Sequence, residues 1–98
     1  MGSLRFEWDP GTARRNLAKH NVSFKEAMTA FSDETGLLLD DSEHSDREDR
    51  FILLGLSSTP RLLAVAHAYR YDDDVIRLIS ATEAIRAEAT QYANRWVP

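Results

Sequence analysis

The chain has 98 residues, 43% of them hydrophobic and 29% charged, with no cysteine and a formal net charge of −4. That length leaves room for one domain, 1–98, and the lack of cysteine excludes a disulfide scaffold, a thiolate zinc site and a thiol nucleophile. No apolar run approaches the ~18–20 residues of a membrane span and no signal-peptide pattern opens the chain, so a cytoplasmic protein without a membrane partner is expected.

Leu4 to Trp8 alternates apolar with charged residues, the period of a half-buried strand. Asp9-Pro10 then reads as a helix start, with Asp9 capping free amides and Pro10 in the first turn, where no donor is needed. This helix is expected to run to about Lys19. Its apolar content is thin, and Arg14, Arg15 and Lys19 give it a cationic face, which fits solvent better than an RNA contact. His20-Asn21-Val22 is the turn of a helical hairpin, Asn21 tolerating the left-handed conformation. Ser23 and Glu26 have capping-box spacing, and Phe24, Ala27, Met28 and Phe31 form one apolar stripe of a second helix.

Thr35 to Leu39 is a short strand, and Asp40 to Asp49 is a polar segment almost without apolar residues. Three strands follow, Phe51 to Ser57, Arg61 to Tyr69 and Val75 to Ser80, joined by short polar turns. Ser80 and Glu83 again have capping-box spacing, and Ile85, Ala89, Tyr92 and Trp96 suggest a last helix docked on the sheet. The order is β-α-α-β-β-β-β-α. Short connections favour an antiparallel meander carrying the helices, an α+β fold.

The chain has no Gly-rich phosphate loop, nucleotide fingerprint or Gly-x-Ser-x-Gly elbow, so no cofactor is expected. His20, His44 and His67 are scattered over different elements, and His44 with Glu48 reads as solvated loop charge rather than a metal site. More informative are polar residues inside apolar strands. Alternation puts Leu63, Val65, His67 and Tyr69 on one strand face, and Arg77 interrupts the apolar run Val75 to Ile79. Two readings stay open. His67 is a hydrogen-bonded core residue and Arg77 snorkels to an edge, or both face an anion-binding surface of the sheet.

The distribution of charge matters more than its sum. Asp33 to Arg50 holds eight acids against two arginines, a net of −6, and the rest of the chain stands at +2. An all-round basic nucleic-acid binder is excluded, but a local basic site is not.

The chain resembles the BrnT family, toxins of type II toxin–antitoxin modules with a RelE-like ribonuclease fold. The likeness lies in Phe6-Glu7-Trp8-Asp9-Pro10, Ala13, Asn16-Leu17, Lys19-His20 and Val22-Ser23-Phe24. It continues through His44-Ser45, Glu48, Arg50-Phe51-Ile52, Gly55-Leu56-Ser57-Ser58, Arg61-Leu62-Leu63 and His67, and closes with Ile76 to Ala81, Glu88 and Tyr92. The resemblance implies a metal-independent endoribonuclease that slows translation. It also implies a BrnA-like antitoxin that covers the toxin and contacts DNA on its behalf.

Such chemistry needs a base for the ribose 2′-OH, cations for the phosphorane charge and an acid for the leaving 5′-oxygen. Arg77 and Arg50 suit charge stabilisation, His67 suits proton transfer, and Glu48 or His44 suits the second acid/base role. Arg61, Arg70 and Arg86 are the expected RNA contacts. One departure stands out: after Ser80-Ala81, where the family usually has two basic residues, this chain has Thr82 and Glu83. Losing those cations implies weaker RNA binding with a shallower salt dependence. It also keeps open a non-catalytic reading, a degenerate toxin that binds its antitoxin and helps repress the operon.

Overall fold

A computed structural model of the protein describes residues 4–41, 43, 49–71 and 74–96. His44 and Glu48 lie outside these residues. Eight elements follow one another: β1 (Arg5–Glu7), α1 (Pro10–His20), α2 (Phe24–Ala30), β2 (Leu37–Asp40), β3 (Arg50–Leu56), β4 (Leu62–Arg70), β5 (Val75–Glu83) and α3 (Arg86–Ala93). The strands form one sheet in the order β1-β5-β4-β3-β2. The last four strands make the expected antiparallel meander, and β1 joins its far edge parallel to β5. No described helix is long and apolar enough to cross a membrane.

The two N-terminal helices start where their local chemistry dictates. Asp9 accepts the Thr12 amide at 2.8 Å with Pro10 in the first turn, and Asn21 closes α1 in the left-handed conformation at φ 57°. Ser23 caps α2 by accepting the Glu26 amide at 3.0 Å. The reciprocal half of that capping box is absent, because the Glu26 carboxylate turns to Arg61 instead.

The core forms between this helical hairpin and one sheet face. Val22, Phe24, Ala27 and Ala30 pack on Leu53, Leu63, Val65, Ile76, Leu78 and Ala81, with Met28 and Phe31 at its margin. Each fully buried aliphatic side chain contributes about 1.5–3 kcal/mol. Asn16, buried in α1, stitches the layers together. Its Nδ2 donates to the Val22 and Ala81 carbonyls at 2.9 and 2.8 Å, and its Oδ1 accepts the Ala81 amide at 3.0 Å. Gly55 lets α2 approach β3 closely, since a Cβ there would stand 2.7 Å from the Ala30 carbonyl oxygen.

The C-terminal part differs from its sequence pattern. Ser80 to Glu83 does not cap a helix but extends β5, which pairs with β4 as far as Leu63 opposite Glu83. The helix begins at Arg86, six residues after Ser80, and the Glu88 carboxylate reaches back to the Ile85 amide at 2.9 Å. Nor is its apolar stripe buried: Ile85 is 64% exposed and Trp96 72%. Polar contacts hold α3 in place. The Tyr92 hydroxyl donates to Asp33 at 2.5 Å, and the Arg95 guanidinium lies 3.7 Å above the Tyr92 ring. Burial acts to raise the Asp33 pKa, but bonds from the Leu56 amide, Tyr92 and Thr35 outweigh it and hold the carboxyl down at about 2.

Candidate functional site

Strand register decides which polar side chains share a face. Residues directly opposite across a ladder point to the same side, and successive residues alternate. Arg50 of β3 stands opposite Ala68 of β4, which stands opposite Arg77 of β5, which in turn stands opposite Glu7 of β1. One row across the sheet is thus Glu7, Arg77, Ala68, Arg50. It lies on the face away from the core of α1 and α2. With strands ~4.8 Å apart, the Arg50 and Arg77 backbones are about 10 Å from each other.

Arg70 belongs to the same face, two residues beyond Ala68 on β4. Its Nε lies 3.7 Å from the Glu7 carboxylate, with both side chains partly in solvent. Three of the expected cations, Arg50, Arg70 and Arg77, therefore gather at one end of one sheet face. Arg77 is not on an edge, since β5 runs between β1 and β4. A half-buried arginine on an interior strand is held by its neighbours and presents its fork of donors in a restricted direction.

Arg61 is not part of this group. It precedes β4, some eight to nine residues or roughly 30 Å of extended strand from Arg70. Its Nε and Nη2 donate to Glu26 at 2.8 and 2.7 Å, and Nη2 also donates to the Asn21 carbonyl at 2.7 Å. Ser57 and Thr59 complete the shell around Glu26. The Arg61 bonds, then those of Ser57 and Thr59, overcome burial and hold the Glu26 carboxyl at about 2. Rather than an RNA contact, Arg61 is the tie between the β3–β4 hairpin and α2. Glu83 lies 3.6 Å from Arg61, so the departure at Thr82-Glu83 also falls at this far end. Arg86 opens α3 just beyond β5, away from Arg50 and Arg77.

His67 occupies the opposite face from Arg77. It is fully buried, with its ring against Phe31 at 4.9 Å and Tyr69 at 5.3 Å. Nδ1 lies 3.0 Å from the Val65 carbonyl oxygen and Nε2 lies 3.4 Å from the Tyr69 hydroxyl. Burial pushes the imidazole pKa down, partly opposed by the Val65 bond. The expectation that His67 and Arg77 share one open surface is corrected: His67 is the hydrogen-bonded core residue of the two sequence readings.

Tyr69 links that buried ring to solvent. A cavity of about 530 Å³ opens at the same end of the sheet as the arginines, lined by Leu38, Asp49, Phe51 and Tyr69. The Phe51 and Tyr69 rings meet edge-on at 5.4 Å. Asp49, Phe51 and Tyr69 are missing from the sequence-derived site, although the two-residue step from His67 to Tyr69 is a visible signal. Among the described residues, no group of three or more His, Cys, Asp or Glu is placed to hold a metal ion.

Residues 8–88 match the model of a family described as the ribonuclease toxin BrnT of type II toxin–antitoxin systems. Among solved structures, the fold is similar to the 1.1 Å crystal structure of the Brucella abortus ribonuclease toxin BrnT. The TM-score is 0.64 at 17% sequence identity, over 86% of this chain and 100% of that one. No curated protein matches the chain by sequence.

Proposed function

The chain belongs to the BrnT family of ribonuclease toxins of type II toxin–antitoxin systems, and from that premise we propose a metal-independent endoribonuclease that cleaves cytoplasmic RNA and inhibits translation. A type II toxin implies an antitoxin partner. In this reading the fold is RelE-like, the antitoxin is BrnA-like, and DNA is contacted only through it.

The observation that supports the reading is the row Arg77, Ala68, Arg50 with Arg70 beside it. When a ribose 2′-oxygen attacks the neighbouring phosphorus, negative charge builds on the non-bridging oxygens as the bond to the 5′-oxygen breaks. Guanidinium groups on either side of Ala68 can clamp those oxygens with paired N–H donors, and Arg70 can hold the next phosphate. His67 is buried and has no surface to meet a 2′-hydroxyl. The proton roles therefore fall to Glu48 and His44, titratable residues that closely precede Arg50 in the chain.

Inducible expression of the chain alone, beside its Arg77→Ala variant, tests this. Growth arrest with RNA fragmentation, relieved by the substitution and unaffected by EDTA in vitro, is the expected result. Loss of cleavage in EDTA overturns the metal-free mechanism. The burial of His67 favours one competing reading, a non-catalytic toxin that binds its antitoxin and co-represses the operon. A folded chain that is harmless, yet strengthens antitoxin binding to operator DNA, decides for that reading.

A further inference from the structure

The arginine face carries a carboxylate of its own. Glu7 ends the row that runs through Arg77 and Ala68 to Arg50. Two residues along the strands lies a second row on the same face, with Arg5 opposite Val75 and Val75 opposite Arg70. At about 3.3 Å of rise per residue the rows stand about 7 Å apart. That is close to the step between neighbouring phosphates of an RNA strand, so Arg77 and Arg70 can hold two consecutive phosphates, with Arg5 at the outer end of the second row. Glu7 belongs to the first row, yet its Oε2 lies 3.7 Å from the Nε of Arg70 in the second. The carboxylate therefore faces the space between the rows. This contact is longer than a hydrogen bond and both side chains are partly in solvent, so it orients the carboxylate without using up its lone pairs.

Between two consecutive phosphates of an RNA strand sits one ribose, and its 2′-hydroxyl attacks the phosphate on its 3′ side. We infer that Glu7 is the general base of the cleavage, taking the 2′-hydroxyl proton of a ribose seated between the Arg70 and Arg77 rows; this rests on the ribonuclease reading above. The 2′-oxygen forms its bond to the phosphorus held by Arg77 as its proton passes to the Glu7 carboxylate. The bond from phosphorus to the 5′-oxygen breaks, and that oxygen leaves with the electron pair and takes a proton from His44 or Glu48. The products are a 2′,3′-cyclic phosphate and a 5′-hydroxyl. Of the two proton roles, Glu7 thus fills the first, and the residues before Arg50 keep the second. The assignment also fixes the direction of the strand. With the upstream phosphate on Arg70 and the scissile one on Arg77, the RNA runs 5′ to 3′ along the chain direction of β5, from Val75 towards Arg77.

Cleavage of diribonucleotides by the full chain tests base and direction together, because a 5′-phosphate adds only the upstream phosphate and a 3′-phosphate only a downstream one. The wild-type chain should cut the 5′-phosphorylated dinucleotide with kcat/KM about tenfold above the bare one, and Arg70→Ala should abolish that advantage. Glu7→Gln should keep the advantage and lower kcat about 10²–10⁴-fold, with the acidic limb of the pH–rate profile gone. Glu7→Asp should retain that limb with part of the rate. Equal urea midpoints for wild type and Glu7→Gln, expected for a side chain 39% exposed, separate lost chemistry from lost folding. Cleavage by Glu7→Gln at the wild-type rate overturns the assignment and leaves the ribonuclease reading standing. So does a Glu7→Gln variant that behaves as Arg70→Ala, losing the 5′-phosphate advantage at unchanged kcat, since Glu7 then only positions Arg70. An advantage from the 3′-phosphate in place of the 5′-phosphate reverses the strand and puts Glu7 beside the leaving oxygen, which also overturns it. A wild-type chain that cleaves neither dinucleotides nor longer RNA removes the ribonuclease reading itself, and the base with it.

Discussion

Arg61 grips Glu26 with two nitrogens, Nε at 2.8 Å and Nη2 at 2.7 Å, joining the β3–β4 hairpin to the first turn of α2. The Glu26 side chain is only 11% exposed, so little solvent screens the pair. Truncating the arginine strands a carboxylate among Ser57, Thr59 and backbone. Arg61→Ala should lower the unfolding free energy by about 2 kcal/mol in urea melts, with the m-value unchanged.

The same pair sets an acid dependence. Glu26 has a folded-state pKa of about 2, below its ordinary 4.5. A depressed carboxyl stabilises the fold fully above the unfolded value and loses that contribution as pH falls through the folded one. Between pH 4.5 and 2 the wild-type chain should therefore lose more stability than Glu26→Gln, compared by urea melts across that range. Parallel curves for the two proteins contradict the assignment.

His67 produces a second slope at milder pH. Burial lowers its pKa below 6.5, so the unfolded chain binds a proton that the folded chain refuses. Stability should fall as pH drops below about 6.5, and His67→Leu should flatten that slope while keeping the core filled. The check is the difference between the two proteins' melting temperatures from pH 7.5 to 5.5. No such difference should appear above pH 7, where both states are neutral.

Gly55 predicts a purely steric effect. A methyl at this position meets the Ala30 carbonyl at 2.7 Å, and backbone on both sides has little freedom to yield. Gly55→Ala should cost about 1–3 kcal/mol through displacement of α2. Amide exchange in α2 should quicken more than in β1 and β5.

Much of this architecture is legible locally, and the part that is not depends on pairing between strands. Asp9-Pro10 and Ser23 mark helix starts because a cap needs only its next three residues. The same spacing misleads at Ser80-Glu83, where ladder bonds to β4 satisfy the backbone and the strand continues. Alternation correctly puts His67 with Val65 and Tyr69 on one face. It cannot relate His67 to Arg77, because that depends on register: Ala68, not His67, stands opposite Arg77, and the ladder slips by one residue between Ala66 and His67. One step of register moves an arginine between core and surface. Arg61 shows a different limit, since its partner Glu26 lies 35 residues away and only the folded chain brings them together.

Arg50, Arg70 and Arg77 make the most direct prediction about RNA. If they hold phosphates, each contributes to the release of counterions from the strand, and the slope of log K against log salt measures how many do so. For a single strand each phosphate contact adds about −0.7 to that slope. Binding of a short RNA, followed by fluorescence anisotropy from 50 to 300 mM salt in roughly equal steps, should give Arg77→Ala and Arg50→Ala slopes shallower by up to about 0.7 each. Arg61→Ala, measured well below its melting temperature, should leave the slope unchanged, because its donors already belong to Glu26 and the Asn21 carbonyl. The double variant Arg50→Ala/Arg77→Ala should lose the sum of the two increments if the arginines hold separate phosphates. It should lose little more than one increment if both close on the same phosphate across Ala68, the arrangement the proposed cleavage requires. A slope altered by Arg61→Ala but not by Arg77→Ala would place the RNA at the other end of the sheet.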